Sequence, residues 1–118
     1  MKRILLTLML LVGAMALYAA DKPTFPGGDE ALQKYLSENL KYPKTAADNG
    51  IEGDVPMQFI VKTDGTITSV KVTRMIDPDL EAEAIRLVKA MPAWTPATQN
   101  GTPVDATADI TVVFRLPD

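Results

Sequence analysis

The sequence contains no histidine and no cysteine. These absences remove the commonest general base, thiol nucleophiles and most zinc ligand sets. Ser37 and Ser69 therefore have no imidazole partner. No disulfide can form, so a domain of this kind must be held by its core, and ~100 residues are enough for a modest one. Aromatic residues are only 6% of the chain, and no aromatic-lined cleft for paired-carboxylate glycosidase chemistry is evident. No glycine-rich phosphate loop is present, because Gly27-Gly28 is not followed by Lys and Ser/Thr. Internal repeats, low-complexity segments and charge runs are also missing. The expectation is a protein that is not an enzyme and takes no cofactor.

What is present begins with an apolar N-terminus. Lys2 and Arg3 precede the run from Ile4 to Ala20, which ends in small residues. That is the charged n-region, apolar h-region and small-residue exit of a secretory signal peptide. The run is slightly shorter than the ~20 residues of a relaxed membrane span. Residues 1–20 are thus read as a signal peptide, cut after Ala20 or Ala16, with an uncleaved N-terminal anchor as the alternative. Direct membrane contact follows only from the second. No cysteine follows the run, so a lipid anchor on a mature N-terminal cysteine is excluded. Residues 21–118 form one domain. They keep all fifteen acidic residues and ten of the twelve basic ones, a net charge of −5. Nucleic acid and anionic membrane surfaces need clustered Lys/Arg and are poor partners for such a chain.

The stretch from Tyr42 to Gly65 organises the rest. Before it, Gly27-Gly28-Asp29 opens a helix, with Gly28 or Asp29 as its N-cap. Leu32, Tyr35, Leu36 and Leu40 make one apolar stripe on it. Tyr42-Pro43 ends that helix, and Pro43 starts a short second one over Lys44–Asp48, stopped by Gly50. The first strand runs from about Gly53 to Thr63, with Val55, Met57, Phe59 and Val61 facing the core. Pro56 implies an unpaired stretch near its start. Thr63-Asp64-Gly65-Thr66 is a hairpin turn into a second strand, Ile67 to Arg74, with Val70 and Val72 inward.

Asp77-Pro78 then opens the second main helix, with Leu80, Ala84, Leu87, Val88 and Met91 as its buried stripe. The acids Asp77, Asp79, Glu81 and Glu83 resemble a calcium ligand set, but the EF-hand glycine is missing and a helix start explains them without an ion. Ala93 to Thr102 reads as a loop holding Trp94 and an Asn100-Gly101 turn. Trp94 is either a binding anchor or, as a lone indole between two prolines after a helix, the closure of the core; the second reading is taken here. The last strand reads Val104 to Leu116, long enough to imply a break near Ala108-Asp109. The expected fold is α+β: a three-stranded antiparallel sheet with two main helices on one face, plus a short helix after the first.

Tyr42-Pro43, Ala46, Ile51-Glu52-Gly53, Val55, Phe59, Val61, Asp64-Gly65, Val70, and Trp94 with Pro96 resemble the C-terminal domain of TonB, an energy-transducing periplasmic protein. Phe25-Pro26-Gly27-Gly28, Asn100-Gly101-Thr102-Pro103-Val104 and Val113-Phe114-Arg115-Leu116 resemble a common subgroup of that family. The resemblance spans about Phe25 to Leu116. It implies the same sheet and helices, a periplasmic location, and the role of holding the extended TonB box of an outer-membrane receptor during nutrient transport. The box adds as a strand beside the last strand, so main-chain hydrogen bonds supply much of the affinity. Carried onto this chain, the receiving edge is Ile110, Thr111, Val112, Val113, Phe114, Arg115 and Leu116. Tyr42, Pro43, Gly53, Asp64, Gly65 and Trp94 are mainly structural. The alternative is a small exported structural or regulatory domain whose edge strand pairs with nothing, or with a second copy as a homodimer. A full TonB also has a membrane helix bearing a histidine and a long Pro-rich linker. Here the apolar run has no histidine, and Tyr18 to Thr24 extend only roughly 25 Å, which puts force transmission from an inner-membrane motor in doubt.

Overall fold

A computed structural model describes residues 21–117. Residues 1–20, read above as signal peptide or anchor, lie outside them. Among the described residues, no helix is long and apolar enough to cross a membrane. The elements are α1 (Asp29–Asn39), α2 (Lys44–Asp48), β1 (Gly53–Val61), β2 (Ile67–Val72), α3 (Pro78–Lys89), β3 (Ala97–Gln99), β4 (Thr102–Val104) and β5 (Ala106–Phe114). A three-stranded antiparallel sheet runs β2-β1-β5, and β3 and β4 form a separate two-stranded ribbon.

The core follows from two periodicities. Val55, Met57, Phe59 and Val61 alternate along β1, and all four are buried. Leu32 and Leu36 from α1 join the same cluster as Leu80, Ala84, Leu87 and Val88 from α3. Both main helices therefore cover the one face of the sheet that this row defines. Side chains of this size contribute about 1.5–3 kcal/mol each when fully buried. Trp94 is 6% exposed and completes this core, edge-on to Phe25 and Phe59.

Capping is as the sequence implies. Asp77 accepts hydrogen bonds from the backbone N–H groups of Asp79 and Leu80, and Pro78 takes the first helical position. Among the described residues, no acidic cluster could hold a metal ion. One buried acid ties the two helices together. Glu83, 8% exposed, accepts from the Arg86 guanidinium at 2.7 Å and from the Lys41 backbone N–H at 2.6 Å. Arg86 also donates to the Asn39 carbonyl at the end of α1.

Three details differ from the sequence expectation. The last strand breaks at Asp105, between β4 and β5, and not near Ala108-Asp109. The cause is the Asp105 carboxylate, which accepts from the Thr63 backbone N–H and from Lys62 Nζ. Asn100-Gly101 lies not in a plain loop but between β3 and β4, whose ribbon meets the lead-in chain at Asp21 through Thr98, while Thr24 bridges to Thr95 just before β3. β2 carries a bulge, because Gln58 pairs with Lys71 while Ile60 pairs with Thr68. Ser69 takes a left-handed conformation there, φ 55°. Ile67 and Val70 are three residues apart, and strict alternation would put them on opposite faces. The bulge lets both pack on the core.

Candidate partner-binding edge

β5 pairs with β1 on one side and is the last strand of its sheet. Its nine residues run in continuous register, from Gly53 opposite Phe114 to Val61 opposite Ala106. Which main-chain groups face outward can be worked out from neighbouring hydrogen bonds. In an extended strand, the N–H and C=O of one residue address the same side, and successive residues alternate. The Pro56 carbonyl accepts from the Thr73 N–H at 3.0 Å, and the Lys62 N–H donates to the Thr66 carbonyl at 2.8 Å. Even-numbered residues of β1 therefore address β2. Odd-numbered residues address β5, and the Thr63 N–H, bonded to Asp105, agrees.

Through the register, the β5 residues bonded to β1 are Ala106, Ala108, Ile110, Val112 and Phe114. Thr107, Asp109, Thr111 and Val113 turn their N–H and C=O groups to the outer side. The same alternation explains Pro56. Its missing N–H falls on the β2 side, just past Met57↔Val72 where that ladder stops.

The residues expected at the edge thus divide. Val112 and Phe114 are fully buried, and Ile110 packs partly against the core. Their side chains belong to the scaffold. Thr111 is exposed and Val113 is 52% exposed, so these two carry both outward main chain and accessible side chains. Arg115 and Leu116 lie past the end of β5. Arg115 sits 2.9 Å from the Asp54 carboxylate and donates to the Phe114 carbonyl, while the Leu116 N–H donates to Glu52. Sequence reasoning omitted the first half of β5, where Thr107 and Asp109 also face outward.

Beside that first half is a hollow of ≈ 640 Å³. Its existence follows from side-chain size. The inward row of β5 grows from Ala106 and Ala108 through Ile110 to Val112 and Phe114. The two alanines leave space between the sheet, Leu32 of α1 and Trp94. Small residues at the start of an otherwise bulky row are the signal that could have revealed it.

The other expected positions lie outside β5. The Tyr42 hydroxyl donates to the Ile51 carbonyl, and its ring stands edge-on to Phe114. Burial pushes the Tyr42 phenol up from its ordinary value, with the charge of Glu52 adding to the effect. Pro43 precedes α2 as its N-cap. A Cβ on Gly53 would come within 2.7 Å of the Ile76 side chain. Asp64 accepts from the Thr66 N–H and hydroxyl, which holds its carboxyl below the usual range. Gly65 bonds to the Trp94 backbone through its carbonyl, N···O 2.9 Å.

The fold has known relatives. A family model described as the Gram-negative bacterial TonB protein C-terminal matches residues 38–116. Protein TonB from Helicobacter pylori strain J99 is 35% identical over 60 residues, as is that of strain 26695. The match covers 50% of this chain and 21% of either relative, so the chain corresponds to about a fifth of those proteins. Two solution structures of the Helicobacter pylori TonB C-terminal domain superpose with TM-scores of 0.56 and 0.57, at 26% and 25% identity. The first match covers 73% of this chain and 78% of that one, the second 75% and 94%. The matched span runs from the end of α1 through β5, and on this evidence the chain belongs to the TonB C-terminal domain family.

Proposed function

We propose that the protein is a periplasmic TonB-like binding module that holds the extended TonB box of outer-membrane receptors, and so takes part in nutrient transport. The box adds as a fourth strand along the outer side of β5. The observation that carries this reading is the row of outward main-chain groups at Thr107, Asp109, Thr111 and Val113, on a nine-residue strand at the edge of the sheet. Strand addition needs that row and little else, since main-chain bonds are independent of side-chain identity. A binding module also fits a sequence without histidine or cysteine. Of the groups with shifted acidity, Tyr35, Asp64, Glu83 and Arg86 belong to elements other than β5, and Tyr42 packs on the inward-facing ring of Phe114. The receiving edge is moved from Ile110–Leu116 to Thr107–Val113, because Arg115 and Leu116 lie past the strand. Residues 1–20 deliver the domain to the periplasm as a signal peptide.

A TonB-box peptide titrated into the protein and followed by amide NMR tests the reading. Thr107, Asp109, Thr111 and Val113 should shift. Thr111→Pro removes an outward N–H and leaves the β1 ladder intact, so it should weaken binding roughly fivefold to tenfold, the worth of one main-chain bond. Val112→Pro is a poor test, because that N–H faces β1 and the substitution attacks the fold. The second reading, self-association through the same edge, rests on β5 being an edge strand that pairs with no other strand on its outer side among the described residues. It predicts concentration-dependent dimers and no response to peptide.

A further inference from the structure

We propose that the hollow beside the start of β5 is a side-chain subsite for a lysine or arginine of the incoming segment. This rests on the reading of β5 as the receiving edge. The hollow adjoins Thr107 and Ala108, so a residue of an added strand that points to the helix side enters it. Its wall is apolar where the stem of such a residue would lie: Leu32, Trp94, Ala106 and Ala108. Its rim is acidic. Asp21 and Asp29 are both exposed there, whereas the Asp109 carboxylate bonds to Gln58 on the opposite face of the sheet. Lys22 is the one basic residue among the described residues that line it.

A long aliphatic stem with a cationic end suits this arrangement. The methylenes cover apolar surface while the head stays at the wet rim. A glutamate there meets two carboxylates, and a shorter residue leaves the hollow unfilled. Asp21 is held in position by more than its own backbone. Its N–H donates to the Thr98 carbonyl at 2.9 Å, and its carboxylate accepts from the Thr98 hydroxyl at 2.9 Å. The rim is thus fastened to β3. Selectivity on this reading resides at the Ala106 end of β5, while the main chain of Thr111 and Val113 supplies grip without selectivity.

The test uses the protein with an eight-residue peptide of alternating threonine and valine that carries one lysine, moved position by position. Norleucine and glutamate versions of each peptide serve as controls. At one position the lysine peptide should bind roughly threefold to tenfold more tightly than its norleucine version, the range expected for two exposed ion pairs. The glutamate peptide should bind more weakly than both. The lysine preference should shrink with salt and approach unity in the Asp21→Asn, Asp29→Asn double variant, which leaves the hollow's shape intact. Ala106→Leu, which fills the hollow, should abolish it as well. Peptides that shift the edge amides with no lysine preference at any position overturn the subsite and leave the receiving edge standing. Peptides that shift no edge amide overturn both. A dimer that Ala106→Leu converts to monomer assigns the hollow to a second copy and also overturns the proposal.

Discussion

Substituting alanine at Gly65 and at Gly101 should separate two costs that usually arrive together. Both glycines are left-handed, with φ of +88° and +81°. An alanine in that conformation costs roughly 1–2 kcal/mol at either site. Stiffening of the unfolded chain returns about 0.4–1 kcal/mol, again at either site. The surroundings differ. A Cβ at Gly101 meets nothing within 4 Å, whereas one at Gly65 would lie 2.3 Å from the Trp94 carbonyl oxygen. That oxygen is backbone and cannot swing aside. Relief requires moving the chain at Trp94, which breaks the bond from the Trp94 N–H to the Gly65 carbonyl, worth about 1 kcal/mol. It also lifts the indole from Phe25 and Phe59, and each such aromatic pair contributes about 0.5–1.5 kcal/mol beyond its buried area. Gly65→Ala should therefore cost about 2–4 kcal/mol more than Gly101→Ala. Urea unfolding followed by Trp94 fluorescence measures both, since this is the sole tryptophan of the chain. The native emission of Gly65→Ala should also move towards that of a solvated indole. Equal losses in the two variants would refute the claim that the Asp64-Gly65 turn is the seat of Trp94.

Three further outcomes follow from the scaffold. Tyr42→Phe removes the bond to the Ile51 carbonyl but keeps the ring against Phe114, so thermal or urea unfolding should show a loss of about 1 kcal/mol. Glu83→Ala leaves the Lys41 N–H without its acceptor and should cost about 1–3 kcal/mol in the same assay. Acid titration should reveal the same residue. Burial pushes the Glu83 carboxyl up, but the bonds from Arg86 and from the Lys41 N–H outweigh it and hold the group below its ordinary value of 4.5. A depressed folded value means stabilisation that is complete above the unfolded value and is lost as pH falls through the folded one. Unfolding free energy should thus decline below about pH 4.5, and Glu83→Gln should flatten that decline.

Much of this fold was legible because two patterns are strong. The alternation of Val55, Met57, Phe59 and Val61 and the stripe from Leu80 to Val88 identify the central strand and the helix that covers it. Asp77-Pro78 and Asp64-Gly65 mark their boundaries by local chemistry alone. The misses have non-local causes. Alternation runs through Ala106, Ala108 and Ile110 without interruption, so the break at Asp105 left no trace in the pattern; it depends on bonds to Thr63 and Lys62, more than forty residues away. The Ser69 bulge was legible in principle, since Ile67 and Val70 are three apart and both apolar. The hollow needed α1, Trp94 and β5 in place together. At the edge itself, side-chain alternation identified the buried residues but not which amides face outward. That required knowing which side of β1 holds β2.

Hydrogen exchange along β5, read amide by amide with and without a TonB-box peptide, tests the central claim most directly. The amides of Ala108, Ile110, Val112 and Phe114 already bond to β1 and should exchange slowly in both states. Those of Thr107, Asp109, Thr111 and Val113 should exchange fast in the free protein and slow on binding, giving an alternating pattern. Peptide that binds while these four amides stay fast, or slows the whole strand without alternation, would contradict strand addition at this edge.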